Sequence, residues 1–347
     1  MTVAATRHGS CLALTFGEPA GIGCDITLLA WQQRRERKLP PFYLIAEAGY
    51  LADRAKLLRY NVPIVEAEPH TAAAMFDRAL PVVPLGLSVS AQSGRPDATS
   101  GPAAIAAIRR AVDDALSGRC TAIVTNPVAK SVLYGSGFTD PGHTEFLAKL
   151  AAEATGTPAH PVMMLWSRGL AVIPVTIHIP LKDVPARLTT ALIVETGRIA
   201  ARDLTAKFSI ARPRLALSGL NPHAGESGSL GEEERTIIAP AVAQLAADGI
   251  DVRGPLPADT MFHESARASY DVALCMYHDQ ALIPIKMLAF ESAVNVTLGL
   301  SFVRTSPDHG TAFDIAGSGR ADPRSLIAAL LLADRLADKT PALAPAK

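Results

Sequence analysis

The sequence predicts an α/β protein. Short apolar runs typical of buried strands alternate with helical segments, and this alternation favours a mostly parallel sheet covered by helices. Strands are predicted at 12–16 and 42–46, and helices after them at 25–37 and 49–59. With 347 residues, the chain can form two lobes.

The alternation continues along the chain. A loop rich in Gly, Ser, Pro and Asp at 86–101 precedes a predicted helix at 102–116 and a strand at 122–125. Three further helices are predicted at 145–154, 190–206 and 232–248. These three helices separate apolar strands that would form the second lobe.

Composition excludes several classes of function. Lys plus Arg equals Asp plus Glu at 33 each, so no global field would attract nucleic acid or an anionic membrane. No apolar run has the length of a membrane span, and the short run at 11–16 does not form a secretory signal. We expect partners to be small molecules that are held by local charges.

The four cysteines are scattered without a CxxC pair, at Cys11, Cys24, Cys120 and Cys275. This pattern predicts buried thiols in a reducing compartment, and therefore a cytoplasmic protein. The first ten residues and the tail from Thr340 have no periodic apolar face, so we expect both to be mobile.

Three predicted strands end at a histidine. The runs at 171–178, 214–223 and 270–279 carry His178, His223 and His278 at or near their ends. Ligands at strand ends can converge on one crevice, and three imidazoles suit zinc or a similar divalent metal. The alternative is that each is an ordinary strand-end residue, hydrogen-bonded to a carbonyl group or to water.

Two segments favour anion binding. The glycine-rich turn GEPAGIG at 17–23 follows a strand and opens a helix, although its spacing is not GxGxxG and a tight turn alone would explain it. In PGHTEF at 141–146, Thr144 is predicted to cap a helix that begins at Glu145. The amides of that helix start, with His143 and Thr144, would suit a phosphate; the alternative is capping alone.

Several segments together resemble the 4-hydroxythreonine-4-phosphate dehydrogenase family of pyridoxal phosphate biosynthesis. Besides GEPAGIG and PGHTEF, they are GLNPHAGE at 219–226, GPLPADT at 254–260, MYHDQ at 276–280 and VNVTLGLSFVRTSPDHGTAFDIAG at 294–317. The resemblance implies an isocitrate/isopropylmalate dehydrogenase-like fold, with two α/β/α lobes and the active site in the cleft between them. It also implies a homodimer with active sites shared across the interface. We expect a discontinuous first lobe at 1–135 plus 296–347 and a second lobe at 136–295.

The resemblance also implies roles for single residues. It assigns the divalent metal to His178, His223 and His278, and the substrate to His143, Thr144, Lys286, Asn295 and Arg304. Lys286 lies in the apolar stretch 281–290, where a charge needs a partner or a ligand, and Arg304 follows the apolar run 298–303. For both, the alternative is a solvated surface charge.

Further candidates are Asp259 and the loop at 308–317. Asp259 would accept a hydrogen bond from the substrate's ammonium or hydroxyl group, or else cap a turn. The loop resembles the segment that holds the adenosine part of the cofactor in isocitrate and isopropylmalate dehydrogenases, which makes His309, Gly310, Thr311 and Ala312 candidates for NAD(P) binding. The chain departs from the family at Cys24 and Ser301, where proline is typical.

The implied activity is the oxidation of 4-phosphooxy-L-threonine at C3, followed by decarboxylation to 3-amino-2-oxopropyl phosphate. It would use NAD or NADP and one divalent metal: zinc, magnesium or cobalt. Alternatives within the family are D-threonate and D-erythronate 4-phosphate dehydrogenases, and aromatic dihydrodiol dehydrogenases, which the phosphate-binding segments disfavour. Outside the class, the histidines would fit a metallohydrolase, or the fold a non-catalytic ligand-binding module.

Overall fold

A computed structural model describes residues 11–140 and 142–340 and confirms the α/β class. The strands are β1 (Leu12–Thr15), β2 (Phe42–Ala46), β3 (Ile64–Glu66), β4 (Leu80–Pro84), β5 (Ile123–Thr125), β6 (Val162–Trp166), β7 (Ala171–Thr176), β8 (Arg214–Ser218), β9 (Asp251–Leu256), β10 (Val272–Tyr277), β11 (Val294–Leu298) and β12 (Arg304–Pro307).

The α-helices are α1 (Gly23–Gln32), α2 (Ala48–Leu58), α3 (Pro69–Met75), α4 (Ser100–Leu116), α5 (Lys130–Gly135), α6 (His143–Thr155), α7 (Val184–Arg187), α8 (Thr190–Phe208), α9 (Ala239–Ala247), α10 (Glu264–Arg267), α11 (His278–Ala289) and α12 (Arg324–Ala337). Short 3₁₀ segments lie at Leu181–Asp183, Pro222–Gly228 and Ala258–Thr260, and a π-helical segment at Glu234–Ile238 precedes α9.

The chain divides into two compact units. Unit 1 comprises Met1–Pro161 and Leu300–Lys347, and unit 2 comprises Val162–Gly299. The segment 136–161, which was expected in the second lobe, groups with unit 1. Its helix α6 is held there by Phe146, whose ring meets Phe138 edge-on at 5.0 Å and lies under the Arg109 guanidinium at 5.1 Å.

Unit 1 has a parallel sheet in the order β3-β4-β2-β1-β5-β12. Its central strand β1 is buried along its whole length, as expected for a parallel strand with both faces covered. Because every strand runs the same way, the carboxyl ends of β1, β5 and β12 lie at one edge of the sheet. The glycine-rich turn follows β1 at this edge.

Unit 2 has a mixed sheet in the order β11-β6-β7-β10-β8-β9. The pairs of β6 with β11 and with β7 are antiparallel, whereas β7, β10, β8 and β9 are mutually parallel. The strands predicted to carry His178, His223 and His278 are β7, β8 and β10. They are therefore adjacent, and their carboxyl ends lie at one edge.

Several element boundaries differ from the sequence predictions. β10 ends at Tyr277 and His278 is the first residue of α11, so residues 281–289 are helical and only partly buried. α6 begins at His143 with Gly142 as its N-cap, so the prediction that Thr144 caps this helix is wrong. Gly142 has an extended backbone, and the chain turns into the helix there.

Other expectations concern cysteines, membranes and termini. All four cysteines are buried and free, which confirms the predicted buried thiols. In residues 11–140 and 142–340, no helix has the length and apolar character needed to cross a membrane. The predicted mobile ends, at 1–10 and 341–347, lie outside the described residues.

Candidate active site

His178 and His278 lie side by side in unit 2. β7 and β10 are parallel neighbours with Thr176 opposite Tyr277, so the residues just after these strand ends emerge together. The two imidazole rings are 5.5 Å apart between centroids. The Thr176 hydroxyl donates a hydrogen bond to the Met276 carbonyl at 2.7 Å, which ties the two strand ends together. We call His178 and His278 the histidine pair.

Asp279 orients one ring of the pair. His278 Nδ1 lies 2.7 Å from Asp279 Oδ1. With Nδ1 engaged by a carboxylate, Nε2 of His278 is the nitrogen left to bind a metal, and the carboxylate fixes the orientation of the ring. The His-Asp dipeptide of MYHDQ is the sequence signal for this contact, although Asp279 was not among the predicted site residues.

The histidine pair lines a cavity of about 200 Å³. Its walls combine polar and apolar side chains: Thr176, His178, Ile179, Leu181, Val184, Tyr277, His278 and Asp279. The donor chemistry fits a divalent transition metal, because imidazole nitrogens and a supporting carboxylate are the ligands that such ions take in proteins.

His223 is not among the residues that line this cavity. It follows β8 by five residues, on the 3₁₀ segment Pro222–Gly228. Across the described ranges, no group of three or more His, Cys, Asp or Glu side chains is assembled to hold a metal. The structure therefore brings together two of the three predicted metal ligands.

Two of these histidines have left-handed backbones. φ is 49° at His178 and 52° at His223. Such conformations cost roughly 1–3 kcal/mol for a non-glycine residue and cluster at functional sites. At His223 the left-handed run continues through Ser227, so this turn is held by contacts with its surroundings.

Arg304 and Thr125 form a polar pair inside unit 1. Arg304 is the first residue of β12 and only 4% exposed, and its Nε and Nη2 donate hydrogen bonds to Thr125 Oγ1 at 3.2 and 2.6 Å. Burial lowers the pKa of Arg304 to about 10, which leaves the guanidinium charged at neutral pH. The alternative of a solvated surface charge is excluded for Arg304.

His143 lies close enough to Arg304 to sense its charge. Burial and the Arg304 guanidinium hold the pKa of His143 well below its usual value, so the ring is neutral at neutral pH. Its Nε2 is buried without a hydrogen-bond partner among the described residues, as is Oγ1 of Thr15, which pairs with Thr125 in the sheet. A cationic group beside polar atoms without partners suits an anionic ligand.

The other substrate candidates are more exposed than Arg304. Thr144 is half-buried in the first turn of α6. In unit 2, Lys286 is half-buried on α11 with its Nζ 5.6 Å from the Phe290 ring centroid, and Asn295 is half-buried on β11. Asp259 is exposed on the 3₁₀ segment Ala258–Thr260.

The cofactor candidates pack on the glycine-rich turn. The Ile22 amide donates to the Thr311 carbonyl at 2.9 Å, and a Cβ at Gly21 would lie 2.9 Å from the same oxygen. Glycine at position 21 is therefore needed for this close approach. Ala312 has a left-handed backbone with φ 44°, and His309 Nε2 is buried with no partner in the described parts of the chain.

A buried ion pair that was not predicted from the sequence supports both of these loops. Arg54 donates to Asp25 and also to the Pro19 and Gly21 carbonyls of the glycine-rich turn. The other oxygen of Asp25 accepts from the Gly317 amide at 2.7 Å. No local motif identifies such a pair, because its members are 29 residues apart.

Comparisons with known proteins cover almost the whole chain. The family model for the pyridoxal phosphate biosynthetic protein PdxA matches residues 38–333. A 4-hydroxythreonine-4-phosphate dehydrogenase from Bradyrhizobium diazoefficiens is 63% identical over 334 residues, covering 94% of this chain and 96% of the relative.

Solved structures are also similar to the chain. A 4-hydroxythreonine-4-phosphate dehydrogenase from Klebsiella pneumoniae is 36% identical, with a TM-score of 0.82, and the match covers 96% of this chain and 99% of the other. A terephthalate 1,2-cis-dihydrodiol dehydrogenase from Burkholderia xenovorans is 28% identical, with a TM-score of 0.63 and coverages of 93% and 97%. These similarities agree with the predicted isocitrate/isopropylmalate dehydrogenase-like fold.

Proposed function

The chain belongs to the family of the pyridoxal phosphate biosynthetic protein PdxA, and from this membership we propose that it oxidises 4-phosphooxy-L-threonine at C3. The observation that carries the proposal is near-full-length similarity to enzymes named for this substrate. The protein is an oxidoreductase of pyridoxal phosphate biosynthesis. Its product, the β-keto acid 2-amino-3-oxo-4-phosphooxybutanoate, loses carbon dioxide to give 3-amino-2-oxopropyl phosphate.

The divalent metal would be held by His178 and His278, with His223 as the third ligand. The close approach of the histidine pair supports this assignment, and so does the carboxylate of Asp279 behind His278. When bound, the ion would supply Lewis acidity at the C3 oxygen, and the nicotinamide of NAD(P) would accept the hydride from C3. Zinc suits these ligands best, with cobalt or magnesium as alternatives.

The phosphate of the substrate would bind to Arg304 and His143. Arg304 supplies a buried positive charge, and His143 supplies a ring nitrogen that has no protein partner in the described residues. Thr144 would add an amide and a hydroxyl from the first turn of α6. Lys286 and Asn295 are proposed as further substrate contacts, and Asp259 as an acceptor for the ammonium or hydroxyl group.

NAD or NADP would bind the loop of His309, Gly310, Thr311 and Ala312. Its contact with the glycine-rich turn supports this proposal, because the Ile22–Thr311 hydrogen bond fixes the loop backbone. A loop with fixed geometry can hold the cofactor in one orientation.

A homodimer is also part of the proposal. α11 and its C-cap residue present three large apolar side chains to solvent, Ile283 at 67%, Met287 at 80% and Phe290 at 73% exposed. An apolar helix face of this kind is typical of an interface with another chain. A second copy covering this face would contact the helix that begins with His278 and carries Lys286. The four buried free thiols support a cytoplasmic location.

The substrate assignment is tested by a comparison of substrates. The protein is reconstituted with zinc and assayed for reduced cofactor with 4-phosphooxy-L-threonine and, separately, with D-erythronate 4-phosphate. We expect turnover of the amino acid phosphate together with release of its carboxyl carbon as carbon dioxide. Turnover of the sugar-acid phosphate alone would assign the chain to a different substrate within the same chemistry.

A further inference from the structure

We propose that Glu234 is a positioning residue for His223, because its buried carboxylate holds the backbone that leads into the left-handed turn of that histidine. The inference rests on the proposed metal-binding role of His223. Glu234 lies eleven residues after His223, at the start of the π-helical segment Glu234–Ile238.

Both oxygens of Glu234 bind the segment just before His223. Oε1 accepts hydrogen bonds from the backbone amides of Leu220 at 2.8 Å and Asn221 at 2.7 Å. Oε2 accepts a third bond from the Asn221 side-chain amide at 3.0 Å. That side-chain amide also donates to Glu233 Oε2 at 2.8 Å. The carboxylate of Glu234 thus fixes the two residues at the entrance to the turn.

The carboxylate also contacts the turn itself. A Cβ placed on Gly225, the residue at the centre of the left-handed run, would lie 2.6 Å from Glu234 Oε2. A Cβ on Gly219 would lie 3.0 Å from Oε1. Both positions are glycine, so the backbone approaches the carboxylate from both sides. Since φ at Gly225 is 77°, glycine also suits the left-handed conformation.

Burial of the Glu234 carboxylate costs folding free energy at this position. The residue is 5% exposed, and a buried carboxylate destabilises the fold unless donors satisfy it. The donors here all belong to the segment that bears His223, so the carboxylate and the turn stabilise each other. π-Helical segments are rare and occur frequently at functional sites, which agrees with this role.

A fixed turn has a direct consequence for metal binding. The left-handed conformation of residues 223–227 is intrinsically unfavourable, so without an anchor the turn would sample other conformations. His223 would then be ordered only when the ion binds, which weakens affinity. Residues that orient metal ligands in this way typically change metal affinity 10–100-fold when they are removed.

The test measures zinc affinity by competition with a chromophoric chelator on the full-length protein. We expect Glu234→Ala to bind zinc at least tenfold more weakly than wild type. Glu234→Gln retains a carbonyl oxygen for the two backbone amides and should recover most of the affinity. Glu232→Gln is the matched control, because Glu232 is an exposed acid near the same helix that pairs with Arg235, and its affinity should equal that of wild type.

The outcomes separate the inference from the proposed site. His223→Ala must lose affinity relative to wild type; if wild type binds no zinc or His223→Ala binds equally well, the metal site and the inference both fail. If His223 matters but folded Glu234→Ala binds zinc as wild type does, the inference alone is overturned. Should Glu234→Ala not fold, Glu234→Asp decides, because its shorter side chain cannot reach all three donors: lower affinity supports the role and unchanged affinity overturns it.

Discussion

The guanidinium of Arg304 is hydrogen-bonded twice to a single hydroxyl group, that of Thr125, with Nε at 3.2 Å and Nη2 at 2.6 Å from Oγ1. Thr125 is the last residue of β5, the strand that pairs with β12 in unit 1. Both side chains are buried, so the hydroxyl restrains the plane of the guanidinium. If Arg304 binds the substrate phosphate, Thr125 sets the orientation in which it does so.

Replacing this hydroxyl should therefore weaken phosphate binding. Thr125→Val keeps the shape of the side chain but removes the acceptor, and hydrogen bonds to charged groups are worth about 1.5–3 kcal/mol. We expect KM for 4-phosphooxy-L-threonine to rise about tenfold, with a smaller change in kcat. Steady-state kinetics would measure both, and Thr125→Ser should restore the wild-type KM. Equal KM values for the Val variant and wild type would show that the contact has no role in binding.

Asp279 should strengthen the binding of metal by His278. Asp279→Ala removes the carboxylate at His278 Nδ1, so the ring loses its fixed orientation. We expect zinc affinity to fall about 10-fold to 100-fold while the metal-free protein keeps its melting temperature, because both side chains are partly or largely exposed. Chelator competition and thermal unfolding measure the two quantities. A wild-type affinity would mean that Asp279 does not support a metal ligand.

The lowered pKa of His143 should contribute to the pH dependence of the free energy of unfolding. Its pKa is lowered in the folded protein relative to the ordinary value of 6.5. Below that value the unfolded chain takes up a proton that the folded chain does not, so this contribution is full at higher pH and is lost as the pH falls. Denaturant unfolding between about pH 7.5 and pH 5 should show a smaller loss of stability in His143→Gln than in wild type. An identical loss in both proteins would contradict a neutral imidazole at His143.

The exposed face of α11 predicts the oligomeric state. If a second copy covers Ile283, Met287 and Phe290, a charge in this face should separate the dimer. We expect Met287→Asp to be monomeric by light scattering at concentrations where wild type is dimeric. Leu331→Asp, at a position 40% exposed on α12, is the control and should remain dimeric. A dimeric Met287→Asp would place the interface elsewhere.

The fold class could be predicted because strand and helix signals alternate clearly along this chain. The sequence also indicated that strand ends near His178, His223 and His278 could converge, but the pairing of β7 with β10 is known only from the structure. The start of α11 at His278 could not be predicted from the sequence. An apolar stretch that contains Pro284 is compatible with either a buried strand or a half-exposed helix.

Contacts between distant residues could not be predicted. Thr125 and Arg304 are 179 residues apart. Arg54 on α2 and Asp25 on α1 are 29 residues apart, so neither pair has a local sequence pattern. The anchoring of His223 by Glu234 was hidden for a different reason. Glutamate in the first turn of a helix ordinarily indicates a solvated face, and only the folded chain shows that this carboxylate is buried.

The central claim, a metal-dependent dehydrogenase built on the histidine pair, is tested most directly by one assay. Reduced cofactor formation from 4-phosphooxy-L-threonine is followed for wild type after chelation, for wild type after zinc is restored, and for His278→Ala with zinc. We predict turnover only in the zinc-restored wild type. Equal turnover in the chelated wild type or in His278→Ala would contradict the account.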